Sequence, residues 1–270
     1  MARPAAALSK SAGRIAVAAY LAAIATFLVA PIVIVIAVAF SSSAVFELPT
    51  QGLSLRWFIA IGSLDNFWSA VGLSVQIATI STLISMTLGT LCAIGIARGR
   101  FVGREAVANF VLSPLMLPGV VIGLACLFAF RSVGFTDARL SLIAAHVIIT
   151  MPYIVRVVLS SLSLFNFEMI DASRTLGRTY LSSLLHVMVP NIYAAYVTGG
   201  MFAFLASMDN YSMALFLSDA SHVTLPIQIL KYLEVGTDPS VAAISALMLL
   251  MTLLALLIAD RLVGVRNVSK

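Results

Sequence analysis

The side chains able to do chemistry are few, and their spacing excludes most of it. His146, His186 and His222 stand far apart, with no HExxH run and no second His or acid one turn from His146, so neither a metal set nor a nucleophile with its base is assembled. No GxxxxGK[ST] phosphate loop occurs anywhere. Cys92 and Cys126 lie inside apolar runs without a second ligand and read as small core side chains. What remains is one polar interruption, "DASRTLGRTYLSSLLHVMVP" at 171–190, in a chain otherwise suited to hydrocarbon.

The physical chemistry of that interruption predicts a jointed object. Asn166 can cap a short helix whose first turns carry Glu168 and Asp171, where the positive end of the helix dipole favours acids. Gly177 suits a left-handed helix stop. Thr179 can then start a second helix in which Leu181, Leu184, Leu185 and Met188 recur at helical spacing, one apolar stripe that Pro190 is expected to end. The expected form is a helix, a glycine elbow and an amphipathic helix.

The elements that hold this object follow from composition. Of 270 residues 61% are hydrophobic and 10% charged, and the mean hydropathy is +1.08, far from the balance of a soluble domain. Since a spanning helix needs about 20 apolar residues, six runs qualify: about 15–40, 71–97, 106–130, 140–164, 192–217 and 241–259. The expectation is an all-α, six-span membrane protein forming one domain over 1–270, with the loop at 165–190 between spans four and five. A secretory signal is the competing reading of the N-terminal region, with "AVA" at 37–39 as its cleavage site. The uncharged run over 15–40 is too long for a signal core, and an uncleaved first span is expected.

Basic residues collect on the cytoplasmic side of a membrane. With the N-terminus inside, the inner segments hold Arg3, Lys10, Arg14, Arg98, Arg100, Arg104, Arg174, Arg178, Arg261, Arg266 and Lys270, and the outer ones only Arg56, Arg131, Arg139 and Lys231. Both termini are thus expected in the cytoplasm. Topology accounts for the net charge of +5 without nucleic acid.

Individual positions refine the picture. In "SPLMLPGVVIG", Pro114 and Pro118 argue against a straight third span, read either as a lining of the pathway or as a packing kink. Trp57 beside Arg56 is expected to anchor an outer loop at the headgroup level. Arg156 lies about two turns from the inner end of span four, within reach of snorkelling. Asp209, in "SMDNYSMALF", is the one acid of the fifth run. Two readings of it stand: an ionisable group in the solute pathway, together with Asn210 and Tyr211, or a cap at a helix break near the outer surface.

The interruption resembles the cytoplasmic loop of permease subunits from binding-protein-dependent ABC importers. That loop reads Glu-Ala-Ala, three residues, Gly, nine residues, Ile, one residue, Leu-Pro. Here Asp171, Ala172, Ser173, Gly177, Val187, Val189 and Pro190 keep the spacing, with Asp for Glu, Ser for Ala, and Val for Ile and Leu. The stretches "LSLRWF", "LGTLCAIGIARGRFVGRE", "LPGVVIGLACLF", "SMDNYSMALFLSDASHVTLPIQI" and "DPSVAAISALMLL" are similar, in order, to the second permease of the spermidine/putrescine group. The resemblance implies the type I importer permease fold in a bacterial inner membrane. It implies a coupling helix at about 167–176, with Glu168, Asp171, Ala172, Ser173, Gly177 and Pro190 forming the ATPase-coupling loop.

The implied partners are ABC ATPase subunits, which bind ATP and Mg, a second homologous permease, a periplasmic solute-binding protein and a small solute. No cofactor or metal is expected in this chain, nor any catalysis. The solute is expected to be a polyamine, with an aminoethylphosphonate or amino-acid-like compound as the alternative. An ion-coupled secondary transporter would be expected to show midplane acids and internal repeats, and neither is evident.

Overall fold

The computed structural model describes residues 3–47, 50, 52–236 and 239–267. Lys270, counted above, lies outside them. The described backbone is helical apart from turns and one isolated bridge. In chain order the helices are α1 (Arg3–Ala39), α2 (Arg56–Ala60), α3 (Phe67–Arg98), α4 (Arg104–Leu112), α5 (Gly119–Ser132), α6 (Ala138–Leu162), α7 (Glu168–Thr175), α8 (Tyr180–Ser183), α9 (Val189–Asn191), α10 (Tyr193–Met208), α11 (Tyr211–Leu217), α12 (Leu225–Val235) and α13 (Ser240–Asn267). Among the described residues, four segments are long and apolar enough to cross a bilayer unbroken, Gly13–Ala39, Phe67–Arg98, Ala138–Leu162 and Ser240–Arg261. Two further pairs make up to six crossings: Arg104–Leu115 with Gly119–Ser132, bent by 106°, and Tyr180–Asn191 with Tyr193–Met208, bent by 78°.

Contacts divide the chain into two compact units, Met1–Leu64 with Tyr232–Leu250 and Asp65–Lys231 with Met251–Lys270. In the first, the loop after α1 folds back on itself. Ser41 pairs with Leu53, Ser54 N–H donates to Phe40 O at 2.7 Å, and the rings of Phe40 and Phe58 meet at 4.8 Å. Trp57 differs from the expectation of an outward anchor. It is buried, its Nε1–H donates to Ser43 O at 3.2 Å, and the guanidinium of Arg56 covers its ring at 4.5 Å. An indole whose one donor finds a backbone carbonyl inside the loop has no need of the headgroups.

The second unit is built on α3, α6 and α10. Lipid tails are as apolar as leucine, so spanning helices associate through close packing and hydrogen bonds between them. The buried face of α3 is accordingly small or hydroxylated, with Ser74, Ala78, Ser81, Ser85, Gly89 and Ala93 three or four residues apart. A Cβ on Gly89 would stand 2.9 Å from Cβ of Ile154, so glycine permits the α3–α6 crossing. Polar side chains pin the three helices together. His146 Nδ1 and Ser207 Oγ are 2.7 Å apart, Ser207 Oγ lies 3.3 Å from Ser81 Oγ, and Ser85 Oγ lies 2.7 Å from Thr150 Oγ1, which donates to His146 O. The buried His146 is part of the packing.

The third apolar run is broken where its two prolines stand. A short 3-10 turn, Ser113–Leu115, ends α4, and Pro118 precedes α5. Alone, α5 is about 21 Å long, less than the roughly 30 Å hydrocarbon core. It packs against α11 at close range: a Cβ on Gly123 would sit 2.6 Å from Ser212 O and 2.9 Å from the ring of Phe216. Gly123→Ala is therefore expected to destabilise the chain by about 1–3 kcal/mol, the usual cost of overpacking. Gly95→Ala, whose Cβ would meet nothing within 4 Å, should be neutral or stabilising. Thermal melting of the two variants in lipid nanodiscs checks this, and equal midpoints would show that α5 and α11 do not close-pack. Arg156 is exposed on α6 and, among the described residues, forms no ion pair.

Candidate functional site

The polar interruption folds as a short helix, a turn and a second helix, in that order. α7 is held at its start by Asn166, whose Oδ1 accepts from Glu168 N–H at 2.9 Å. It stops at Gly177, with φ +91°. There Gly177 N–H donates to Arg174 O at 3.0 Å and Arg178 N–H to Ser173 O at 3.3 Å, the paired bonds of a Schellman stop. Thr179 caps α8 by accepting from Ser182 N–H at 3.3 Å.

Beyond this point the structure departs from the sequence expectation. The second helix does not end at Pro190. It opens into a π turn at Leu184–Met188, in which Val189 N–H reaches back to Leu184 O, and runs through α9 to bend at Ile192. A π turn is wider than an α turn, leaving room for a proline ring that would otherwise press on the carbonyl four residues back. Asn191 Nδ2 donates to Val187 O at 2.6 Å and satisfies that carbonyl. The expected stripe is also divided. Leu184 and Met188 are buried, whereas Leu181 and Leu185 stay 65% and 55% exposed.

The residues of α7 face two ways. Ile170 is fully buried among Ile96, Val158, Leu162 and Met188, and Ser173 is buried with its Oγ accepting from Ser183 Oγ at 3.0 Å. Asp171 Oδ1 accepts from Arg98 Nη2 at 2.7 Å, with Arg174 Nη1 at 3.9 Å. Glu168, Met169, Ala172, Thr175 and Leu176 are exposed, and Leu176 is 87% so. Pro190 is exposed at the far end. A ledge thus forms with one face anchored in the helical core and a small, mixed face open beside Ala172.

At Asp209 the structure breaks the fifth apolar run in two. α10 ends at Met208 after about 24 Å, and α11 restarts at Tyr211. The cap of the restart is Asn210, whose Oδ1 accepts from Met213 N–H at 2.9 Å. Asp209 is exposed, and among the described residues its carboxylate has neither a hydrogen-bond nor an ion-pair partner. Tyr211 packs half-buried against Met213, Leu217 and their neighbours. The sequence reading missed Arg98. Nothing in local spacing marks a pairing across 73 positions.

Long apolar helices, a three-helix core pinned by buried polar side chains and an anchored polar ledge fit an integral membrane protein. Residues 85–265 match the family described as "Binding-protein-dependent transport system inner membrane component", and the chain belongs to that family. It is 28% identical over 252 residues to the spermidine/putrescine transport system permease protein PotC of Escherichia coli (strain K12), covering 93% of this chain and 95% of that one. It is 32% identical over 231 residues to the putrescine transport system permease protein PotI of the same organism, covering 83% and 82%. Among solved structures, a bacterial ABC transporter importing the acidic polysaccharide alginate aligns with TM-score 0.68 at 16% identity, over 95% of this chain and 96% of that one. The fold is that of type I ABC importer permeases, and the protein is a permease of that importer class.

Proposed function

We propose that this chain carries a small cationic solute, a polyamine such as spermidine or putrescine, across the bacterial inner membrane. It works beside a second, homologous permease, receives solute from a periplasmic binding protein, and stands on ABC ATPase subunits that bind ATP and Mg. The ledge with Glu168, Asp171, Ala172, Ser173, Gly177 and Pro190 is the ATPase-coupling element. ATP-driven closure below moves it and tilts the spans between outward-open and inward-open states. The observation that carries the cationic reading is Asp209, exposed and without a side-chain partner among the described residues, at a helix break within an apolar run. A carboxylate in such a place is expensive unless it meets a cation, and Asn210 and Tyr211 flank it. The names of the relatives PotC and PotI support the same reading.

The test is to co-express the chain with its second permease, ATPase and binding protein, identify the binding protein's ligand calorimetrically, and follow uptake into proteoliposomes. Polyamine binding with strictly ATP-dependent uptake is expected. A phosphonate or amino-acid ligand would overturn the polyamine reading and leave the importer standing. Uptake driven by an ion gradient without ATP would remove the importer mechanism itself.

Both termini are placed in the cytoplasm, on the asymmetry of basic residues. In a Cys92→Ala, Cys126→Ala background, Ser9→Cys and Ser269→Cys should escape an impermeant thiol reagent in intact cells, and Ser221→Cys should react. Labelling of either terminus from outside would reverse the orientation.

A further inference from the structure

The acid that opens the coupling motif is turned towards its own chain. Asp171 Oδ1 lies 2.7 Å from Nη2 of Arg98, the last residue of α3. The guanidinium of Arg98 is also placed over two rings that bracket α7, 5.8 Å from Phe167 and 5.3 Å from Tyr180. Phe167 is braced edge-on by Phe165 at 5.2 Å. Arg174, one turn after Asp171, closes the set at 5.9 Å from the same Tyr180 ring. An isolated exposed ion pair contributes little, but a planar guanidinium held by a carboxylate and two aromatic faces has its orientation fixed in three ways.

We propose that Arg98 is a positioning residue for coupling: it ties α7 to the end of α3, so that displacement of the ledge by a partner is passed to that span. The inference rests on the importer reading above. Two other ties hold α7, the buried Ile170 and the Ser173–Ser183 hydrogen bond. Ile170 enters the apolar cluster and the serine bond joins α7 to α8, so Arg98 is the ionic link from α7 to the end of α3. α3 is in turn locked to α6 at Gly89. A push on the exposed face at Ala172 therefore reaches the three-helix core by two routes, the apolar packing of Ile170 and the ionic link of Arg98 to the end of α3.

The experiment uses the full chain in its assembled complex and compares wild type, Arg98→Gln, Arg98→Lys and the charge swap Arg98→Asp with Asp171→Arg. Solute moved per ATP hydrolysed is measured together with the amount of ATPase chain that co-purifies. Arg98→Gln should keep its ATPase chain and its hydrolysis but move about tenfold less solute per ATP, within the range of ordinary coupling energies. Arg98→Lys keeps the charge without the fork or the stacking and should fall between, and the swap should recover most of the lost ratio. A merely structural role would lower the yield of complex and leave the ratio alone. A wild-type ratio in Arg98→Gln, or a swap no better than Arg98→Gln, overturns the proposal. If Arg98→Gln does not assemble, the swap decides: restored assembly and ratio support the pair, and continued failure overturns it. Spin labels at Thr87 and Thr175 in the isolated chain in lipid separate this from the importer reading. Arg98→Gln should broaden their distance distribution even if no ATPase chain is ever captured, and an unchanged distribution counts against the tie.

Discussion

Asp209→Asn is expected to slow import of a cationic solute by about 10- to 100-fold at subsaturating concentration, with expression and assembly unchanged. The estimate comes from one charge-assisted contact of about 1.5–3 kcal/mol, lost when the carboxylate becomes an amide of the same shape. The fold gives the substitution little else to disturb, because Asp209 follows the last residue of α10, is exposed, and has no side-chain partner among the described residues. The cap at this break belongs to Asn210, through its 2.9 Å bond from Met213 N–H. Asp209→Asn should thus leave the thermal midpoint in place, whereas Asn210→Ala should lower it through a loss of about 1 kcal/mol of stability, the usual cost of a lost cap. Uptake of the identified ligand into proteoliposomes is the measurement. Wild-type rates for a polyamine in Asp209→Asn would take Asp209 out of the pathway, and an anionic or neutral ligand should be indifferent to the change.

Gly177→Val should uncouple ATP hydrolysis from uptake. The reason is confined to the backbone: φ is +91°, and a Cβ there would meet nothing within 4 Å. A β-branched residue in the left-handed region costs about 1–3 kcal/mol. Relieving it means abandoning the two hydrogen bonds from Gly177 and Arg178 that close α7. The helix end that carries Thr175 and Leu176 would then shift while Ile170 stays buried, changing the open face and not the core. Because space is free, Gly177→Asn, which tolerates this region, should retain most of the coupling, and Gly177→Ala should fall between. The ratio of solute moved to ATP hydrolysed, with co-purification of the ATPase chain as control, reads the effect. Equal ratios for Val and Asn would mean that the left-handed turn plays no part.

What the sequence determined by itself was what depends on near neighbours and on solvent. Apolar runs of spanning length follow from the thickness of hydrocarbon, and the segments Phe67–Arg98 and Ala138–Leu162 fall within a few residues of those expected. The left-handed stop at Gly177 and the break around Pro114 and Pro118 follow from which backbone angles and hydrogen bonds those residues permit. Tertiary structure decided whatever joins distant positions. The pairing of Arg98 with Asp171 leaves no periodic trace, since each residue is unremarkable in its own window. The burial of Leu184 and Met188 without Leu181 and Leu185 depends on which side of the helix meets the core, which the spacing of the stripe does not specify. Trp57 turned inward because a carbonyl at Ser43 lay within reach once the loop had folded. Among the described residues Asp209 stands without a side-chain partner for the same kind of reason: its neighbour Asn210 accepts from the N–H of Met213, and no described basic side chain comes within ion-pair range of its carboxylate. Local conformational energies act over a few residues and can be read along the chain, whereas burial and pairing energies depend on which surfaces meet, and that is settled only when the helices pack.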